Sequence, residues 1–160
     1  MTATISITAR EVMTPEVMTV SPETLTENAA RTLFKASISG LPVVDSDGKL
    51  VGVVTEYDII AKEGRTVGDI MSTDVITVSE ETDAETVAHI LIERRVRRLP
   101  VVRDGIVVGI VSRSDLVRLF AMTRWSCENC GFYTRGFDRL TLCPKCGHPT
   151  IILEREPPGM

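Results

Sequence analysis

Long apolar runs are missing from this chain. The longest, residues 106–111, is six residues with Gly109 counted, against the ~20 a bilayer-spanning helix needs, so no membrane span is expected. The first eight residues, MTATISIT, place no basic residue ahead of an apolar core. A secretory signal is therefore not expected, and the cytoplasm is the expected compartment. Net charge is small, −4 from 18 basic and 22 acidic residues. That argues against a surface that binds nucleic acid throughout, though not against a local basic patch. With 43% apolar and 25% charged residues, the composition is not that of a disordered or fibrous chain. At 160 residues there is room for one ordinary domain, or for a compact pair with a small appendage.

Cysteine is absent from the first 122 residues, and aromatics there are limited to Phe34, Tyr57 and Phe120. All four cysteines, with Trp125, Phe132, Tyr133 and Phe137, fall in the last 38 residues. Formal charge is −3 up to residue 66, −2 from 67 to 122 and +1 beyond. A segment under ~40 residues seldom buries enough apolar surface to fold alone and usually relies on a metal or disulfides. The tail is expected to do the same.

Ahead of the tail lies a duplication. Residues 12–44 align with 70–102 at a constant offset of 58: VMTPEVMTVS lies over IMSTDVITVS, and LPVV at 41–44 recurs unchanged at 99–102. The offset then falls to 57, so GVVTEYD (52–58) matches GIVSRSD (109–115). The lost residue lies near Asp47-Gly48 and Asp104-Gly105, both hairpin-turn signals. Each copy reads as β-α-β-β-α. Short β-branched strands are expected at 17–20 and 75–78. The helices that follow each carry a capping-box pattern, Thr24 with Glu27 and Thr82 with Glu85. Their apolar stripes are Leu25, Ala29, Ala30, Leu33 and Phe34 in one, and Ala84, Val87, Ala88, Leu91 and Ile92 in the other. Hairpins pair 41–44 with 50–54 and 99–102 with 106–111. These strands are continuously apolar, so both faces should be covered. Closing helices are expected from 55 to about 62 and from 112 to about 122.

These three motifs, in the same order in two adjacent copies, resemble a tandem pair of cystathionine β-synthase (CBS) domains over residues 8–122. The resemblance implies a mixed α/β (α+β) fold in which two β-α-β-β-α repeats, residues 8–64 and 67–122, form one module. A small β-rich metal ribbon at 124–156 would follow. It also implies a homodimer through the CBS pair, and a regulatory sensor of adenosine-containing ligands such as AMP rather than a catalyst.

The resemblance further implies that Thr55 and Asp58, and Ser112 and Asp115, contact nucleotide. The hydroxyl would lie near phosphate at a helix start, where the dipole favours an anion. The carboxylate would accept from the ribose hydroxyls. The same T/S-x-x-D pattern is also a capping box, which stands as the alternative. The second copy is the favoured site, because Ser114 adds a hydroxyl where the first copy has Tyr57. It also carries Glu93-Arg-Arg-Val-Arg-Arg98 where the first has Lys35-Ala-Ser-Ile-Ser-Gly40. In the family this stretch borders the cleft, which makes Arg97 and Arg98 candidates to pair with phosphate. Arg94 and Arg95 read as a solvated helix end, and His89 as a helix-surface residue.

In the tail, Cys127-Glu-Asn-Cys130 and Cys143-Pro-Lys-Cys146 are two knuckles separated by twelve residues. Each turn aims two thiolates at one point, and two turns make a tetrahedral four-sulfur site. Gly131 and Gly147 suit the positive φ that such turns require. Disulfides are the alternative, disfavoured by the C-x-x-C spacing and the missing export signal. The tail resembles a zinc ribbon and the paired knuckles of rubredoxin. One zinc per chain is expected, with iron the alternative, since both metals accept four thiolates. Four cysteines close the site, so metal-assisted hydrolysis is not expected, and His148 reads as a neighbour rather than a fifth ligand.

Two function classes follow. The leading one is a non-catalytic regulatory protein that senses an adenine nucleotide, with the ribbon as output or docking module. The other is a nucleic-acid-binding factor acting through Arg124, Trp125, Phe132, Tyr133, Arg135, Arg139 and Lys145, a basic and aromatic set. Against it stand the feeble charge of +1 and the need of so small a fold for its aromatics as core. Electron transfer through iron is a third possibility. No nucleophile–base pair, Walker loop or open metal site is evident, so catalysis is not expected.

Overall fold

The computed structural model describes residues 6–137 and 140–156. Arg139, one of the candidate nucleic-acid contacts, lies outside them. The first repeat comprises α1 (Ala9–Val12), α2 (Thr26–Ala36), β1 (Gly40–Val44), β2 (Leu50–Thr55) and α3 (Glu56–Ala61). The second comprises α4 (Val67–Ile70), β3 (Val78–Ser79), α5 (Ala84–Glu93), β4 (Arg98–Arg103), β5 (Ile106–Ser112) and α6 (Arg113–Met122). The tail adds β6 (Thr123–Cys127), β7 (Tyr133–Thr134) and β8 (Ile151–Arg155). The mixed α/β class, both hairpins and both closing helices are as expected. Among the described residues no helix is long and apolar enough to cross a membrane.

The strands that open each repeat are shorter than expected, for a reason written in L-P-V-V. Val20 forms a single parallel bridge with Val43, its N–H donating to the Pro42 carbonyl and its carbonyl accepting from Val44. Extending that ladder toward Met18 would require an N–H from Pro42, which proline lacks. Pro100 sets the same limit in the second repeat, where only Val78 and Ser79 pair with Val101 and Val102.

Helix starts also differ by a residue. The N-cap of α2 is Leu25, with no side-chain cap, because the Thr24 hydroxyl accepts instead from the Ser21 N–H at 3.1 Å. At α5 the cap is Asp83, whose carboxylate accepts from the Thr86 N–H at 2.7 Å. An ionised cap suits the helix dipole better than the Thr82 hydroxyl. Two single-turn helices, α1 and α4, were not expected. Each is opened by a capping box at equivalent positions, Thr8 with Glu11 and Thr66 with Asp69. Coverage of the hairpins is uneven as well. The runs 41–43 in β1 and 99–101 in β4 are buried throughout, whereas β2 and β5 alternate buried with half-buried positions. β5 is the outer strand of its sheet, whose order is β3-β4-β5.

The chain divides into two compact units that do not follow the two repeats. One contains residues 14–79 and 100–110, with a core of Ala29, Leu33, Leu41, Val43, Val54, Val67 and Ile70. The other takes its residues from 1–13, 80–99 and 111–160 and buries Ala9, Val87, Leu91, Leu99, Val111, Leu116 and Trp125. The cysteine-bearing tail thus belongs to the same unit as α1, α5 and α6. No residue intervenes between α6 and β6.

Candidate functional site

Ser112 ends β5 and caps α6. Its Oγ accepts from the Asp115 N–H at 3.3 Å, while Asp115 Oδ2 accepts from the Ser112 N–H at 2.8 Å and from its hydroxyl at 2.9 Å. The Ser114 hydroxyl lies 2.8 Å from that of Ser112. The other carboxylate oxygen, Oδ1, accepts from Arg118 at 3.1 Å. Asp115 retains 12% side-chain exposure and Arg118 63%, so this last partner reaches Asp115 from solvent.

The first repeat reproduces the cap but not the outer partner. Thr55 Oγ1 accepts from the Asp58 N–H at 3.3 Å, and Asp58 Oδ2 accepts from the Thr55 N–H and hydroxyl at 2.9 and 3.0 Å. Asp58 Oδ1 is held by Lys62 Nζ at 2.7 Å, with the aspartate side chain only 3% exposed. The same ammonium donates to the Ile70 carbonyl at 3.0 Å. Both T/S-x-x-D motifs are therefore capping boxes in this structure, and each uses one carboxylate oxygen for the cap. The other oxygen differs: Lys62 seals it in the first repeat, while Arg118 covers it loosely in the second.

Arg97 meets the second motif through its backbone carbonyl. Arg113 donates its N–H to the Arg97 carbonyl at 3.1 Å and its Nε–H to the Val96 carbonyl at 3.1 Å. The strand entry is thereby docked on the first residue of α6. Arg97 is exposed and Arg98 half-buried at the start of β4. Arg94 and Arg95 are exposed at the end of α5, Arg95 in the left-handed region at φ 53°.

The tail sheet has the order β7-β6-β8, with both pairings antiparallel. It carries Cys127 at the end of β6. Cys127 and Cys146 sulfurs are 3.7 Å apart, as are those of Cys130 and Cys143, and all four lie within 4.8 Å of one another. A tetrahedral ion with metal–sulfur bonds of about 2.3 Å requires sulfur–sulfur edges of about 3.8 Å, so the residues present fit a metal. Gly131 and Gly147 both take φ 72°, and each donates its N–H to the first cysteine carbonyl of its knuckle. A side chain at either position would be strained.

The sulfurs are not equivalent. The Asn129 amide, with the His148 N–H behind it, lowers the Cys146 thiol to about 6. At Cys130 the Phe132 N–H favours the thiolate, but desolvation and hydrogen bonds with Cys146, Cys143 and Cys127 outweigh it and push the thiol up to about 11. His148 Nδ1 accepts from the Thr150 N–H at 3.1 Å, which occupies it in the turn.

The basic and aromatic residues of the tail are largely committed to its own fold. Arg124 pairs with Glu154 at 2.5 Å and Glu156 at 3.1 Å, and lies 5.0 Å over the Tyr133 ring. Arg135 pairs with Glu156 at 2.6 Å and donates to the carbonyls of Ala121 and Thr123 at 3.0 and 2.8 Å. Trp125 is buried and donates to the Gly136 carbonyl, while Phe137 packs on Phe120 at 6.0 Å. Phe132 is half-buried; Tyr133 and Lys145 remain exposed. Sequence patterns did not single out Lys62, Arg113, Arg118, Asn129 or the capping role of Arg135. Of these, the Asp58–Lys62 spacing of four on a helix was a usable signal.

Comparison with known proteins places the two repeats in a family. The CBS domain family matches residues 9–64 and 67–122. An inosine-5'-monophosphate dehydrogenase of Methanocaldococcus jannaschii is 39% identical over 113 residues, 69% of this chain, and the chain spans 23% of that enzyme's length. The crystal structure of CBSX2 in complex with AMP is 36% identical with a TM-score of 0.68, covering 71% of this chain and 95% of that one; CBSX2 is an Arabidopsis thaliana protein. The CBS pair of protein MJ0100, solved with 5'-methylthioadenosine and S-adenosyl-L-methionine, is 34% identical with a TM-score of 0.68, covering 73% and 98%. With both copies matched in tandem, the chain belongs to the CBS-domain family.

Proposed function

We propose that this protein is a non-catalytic regulatory sensor that binds an adenine mononucleotide such as AMP beside Ser112, Ser114 and Asp115, and one metal ion at Cys127, Cys130, Cys143 and Cys146. The observation that carries the nucleotide reading is the outer oxygen of Asp115. Among the described residues it faces only a solvent-reaching arginine, on a helix start that also presents two hydroxyls. Adenosine ligands share a ribose diol, and a carboxylate oxygen is an acceptor for such donors. Arg97 and Arg98 supply positive charge beside that helix start for phosphate. Thr55 and Asp58 form the lesser cleft, because the corresponding oxygen of Asp58 is sealed by Lys62. The AMP and adenosine ligands of CBSX2 and MJ0100 support the ligand class.

Calorimetric titration with AMP tests this. Asp115→Ala should weaken binding by roughly 10- to 150-fold, the loss of charged hydrogen bonds, and Asp58→Ala far less, with both variants folded by thermal melting. Equal weakening would mean that both clefts serve alike. No binding of AMP, ADP or ATP by the wild type would leave the motifs as helix caps alone.

For the metal, zinc is the reading and iron the alternative. Four thiolates supply a tetrahedral site with no open position, so the ion holds structure rather than activating water. Elemental analysis should return one ion per chain. Cys130→Ser should lose it, and with it the hydrogen-exchange protection of the tail. A red protein absorbing in the visible would identify iron.

A further inference from the structure

We infer that the metal ribbon controls nucleotide affinity through α6, so that ion occupancy and AMP binding are thermodynamically linked. The inference rests on the second-repeat cleft being the AMP site and adds how that site is regulated.

α6 is a poorly anchored helix. It has ten residues, fewer than the ~12–15 an isolated helix needs for even marginal stability in water, and Leu116 is its one buried residue. Restraint at its two ends therefore adds to what Leu116 supplies. The N-terminal end is the nucleotide motif itself, with Ser112 and Asp115 closing the capping box. The C-terminal end is held by the tail. Arg135 Nη1 donates to the Ala121 and Thr123 carbonyls and, at 3.4 Å, to that of Phe120. The Glu156 N–H donates to the Met122 carbonyl at 2.7 Å, and Phe137 packs on Phe120. Those of Phe120, Ala121 and Met122 are among the last carbonyls of α6, which have no partner within the helix, and that of Thr123 belongs to its C-cap.

Arg135 is in turn fixed by Glu156, and Glu156 directly follows β8, which pairs along the whole of β6. β6 ends at Cys127. The clamp thus exists only while the ribbon is folded, and a segment this short with four sulfurs converging folds with its metal. Among the described residues the first repeat has no such device: α3 ends at Ala61 with Lys62 as its C-cap, and the chain runs on to α4. The two-state element is the ribbon, and α6 carries its state to the cleft. Linkage requires reciprocity, so AMP must tighten metal binding by the same factor.

The test is AMP titration of the full chain, metal-loaded and after chelation, with Arg135→Gln as the second variant. Metal removal should weaken AMP binding by about 5- to 30-fold, within the usual range of coupling, and zinc addition should restore it. Arg135→Gln keeps all four cysteines and should still bind one zinc, yet show a coupling close to one. Hydrogen exchange reads the same link without nucleotide: chelation should deprotect the amides of residues 116–122. An unchanged AMP affinity on chelation overturns the inference. So does full coupling in Arg135→Gln, or unchanged α6 protection in the metal-free wild type. If the metal-loaded protein binds no AMP while α6 protection does follow the metal, the nucleotide reading fails and the structural link stands.

Discussion

Position 62 is a lysine, and its counterpart 57 residues later is Leu119. That one difference decides how tightly each motif aspartate is held. Lys62 is anchored at two points and its Asp58 partner is buried, whereas Arg118 reaches Asp115 from three residues along and from solvent. Removing Lys62 leaves a buried carboxylate short of a charged donor. Lys62→Met should cost about 1–2 kcal/mol, the value of a charged hydrogen bond discounted for a lysine that is 40% exposed. Arg118→Ala should fall within about 0.5 kcal/mol of wild type. Urea melts compare the two directly, and equal costs would contradict the distinction between the repeats. The aspartates themselves were legible in the sequence as T/S-x-x-D. The motif alone does not say which donor takes the second oxygen, since Lys62 lies four residues on and Arg118 three.

At the scale of elements, hairpins and closing helices were legible because turn signals and apolar runs act locally. The opening strands were overestimated because β-branched composition at 17–20 says nothing of a missing N–H across the ladder, at Pro42. The four-cysteine cluster was legible from its two knuckles, but the ion pairs of the tail were not, since Arg124 and Glu154 are brought opposite only by strand register. Those pairs predict a pH dependence. Arg124 first, then Ser126, holds Glu154 below its ordinary 4.5, and Arg135 does the same for Glu156. A lowered folded-state value means that the stabilisation is present in full above about 4.5 and fades as pH falls through the lower, folded values. Fluorescence of buried Trp125 should follow this loss in acid. The Glu154→Gln/Glu156→Gln variant should be less stable near neutrality and lack that part of the acid transition. Superimposable profiles would remove the ion pairs as a cause.

For the whole molecule, two pairs of exposed apolar residues recur at the repeat offset. Phe34 and Ile60 are 85% and 86% exposed, and their counterparts Ile92 and Val117 are 69% and 68% exposed. Large apolar groups left in water at matched helix positions mark, in each unit by itself, a face for a partner to cover, and we propose a homodimer through these helices. Sedimentation at micromolar concentration should give about 35 kDa, twice the 17.6 kDa chain. Ile60→Asp with Val117→Asp should return it to a monomer, and a wild type already at 17.6 kDa would refute the proposal.

The seamless passage from α6 to β6 has a bearing on how such a chain could be lengthened by evolution or by design. A helix turns by about 100° and advances about 1.5 Å for each residue. One residue inserted before Thr123 would therefore swing the four-sulfur cluster a quarter-turn and more around the α6 axis, carrying Arg135 away from the carbonyls it holds. Seven inserted residues would nearly restore the angle but displace the tail sheet by about 10 Å. The join is phase-locked, so the tail tolerates change in sequence there far better than change in length.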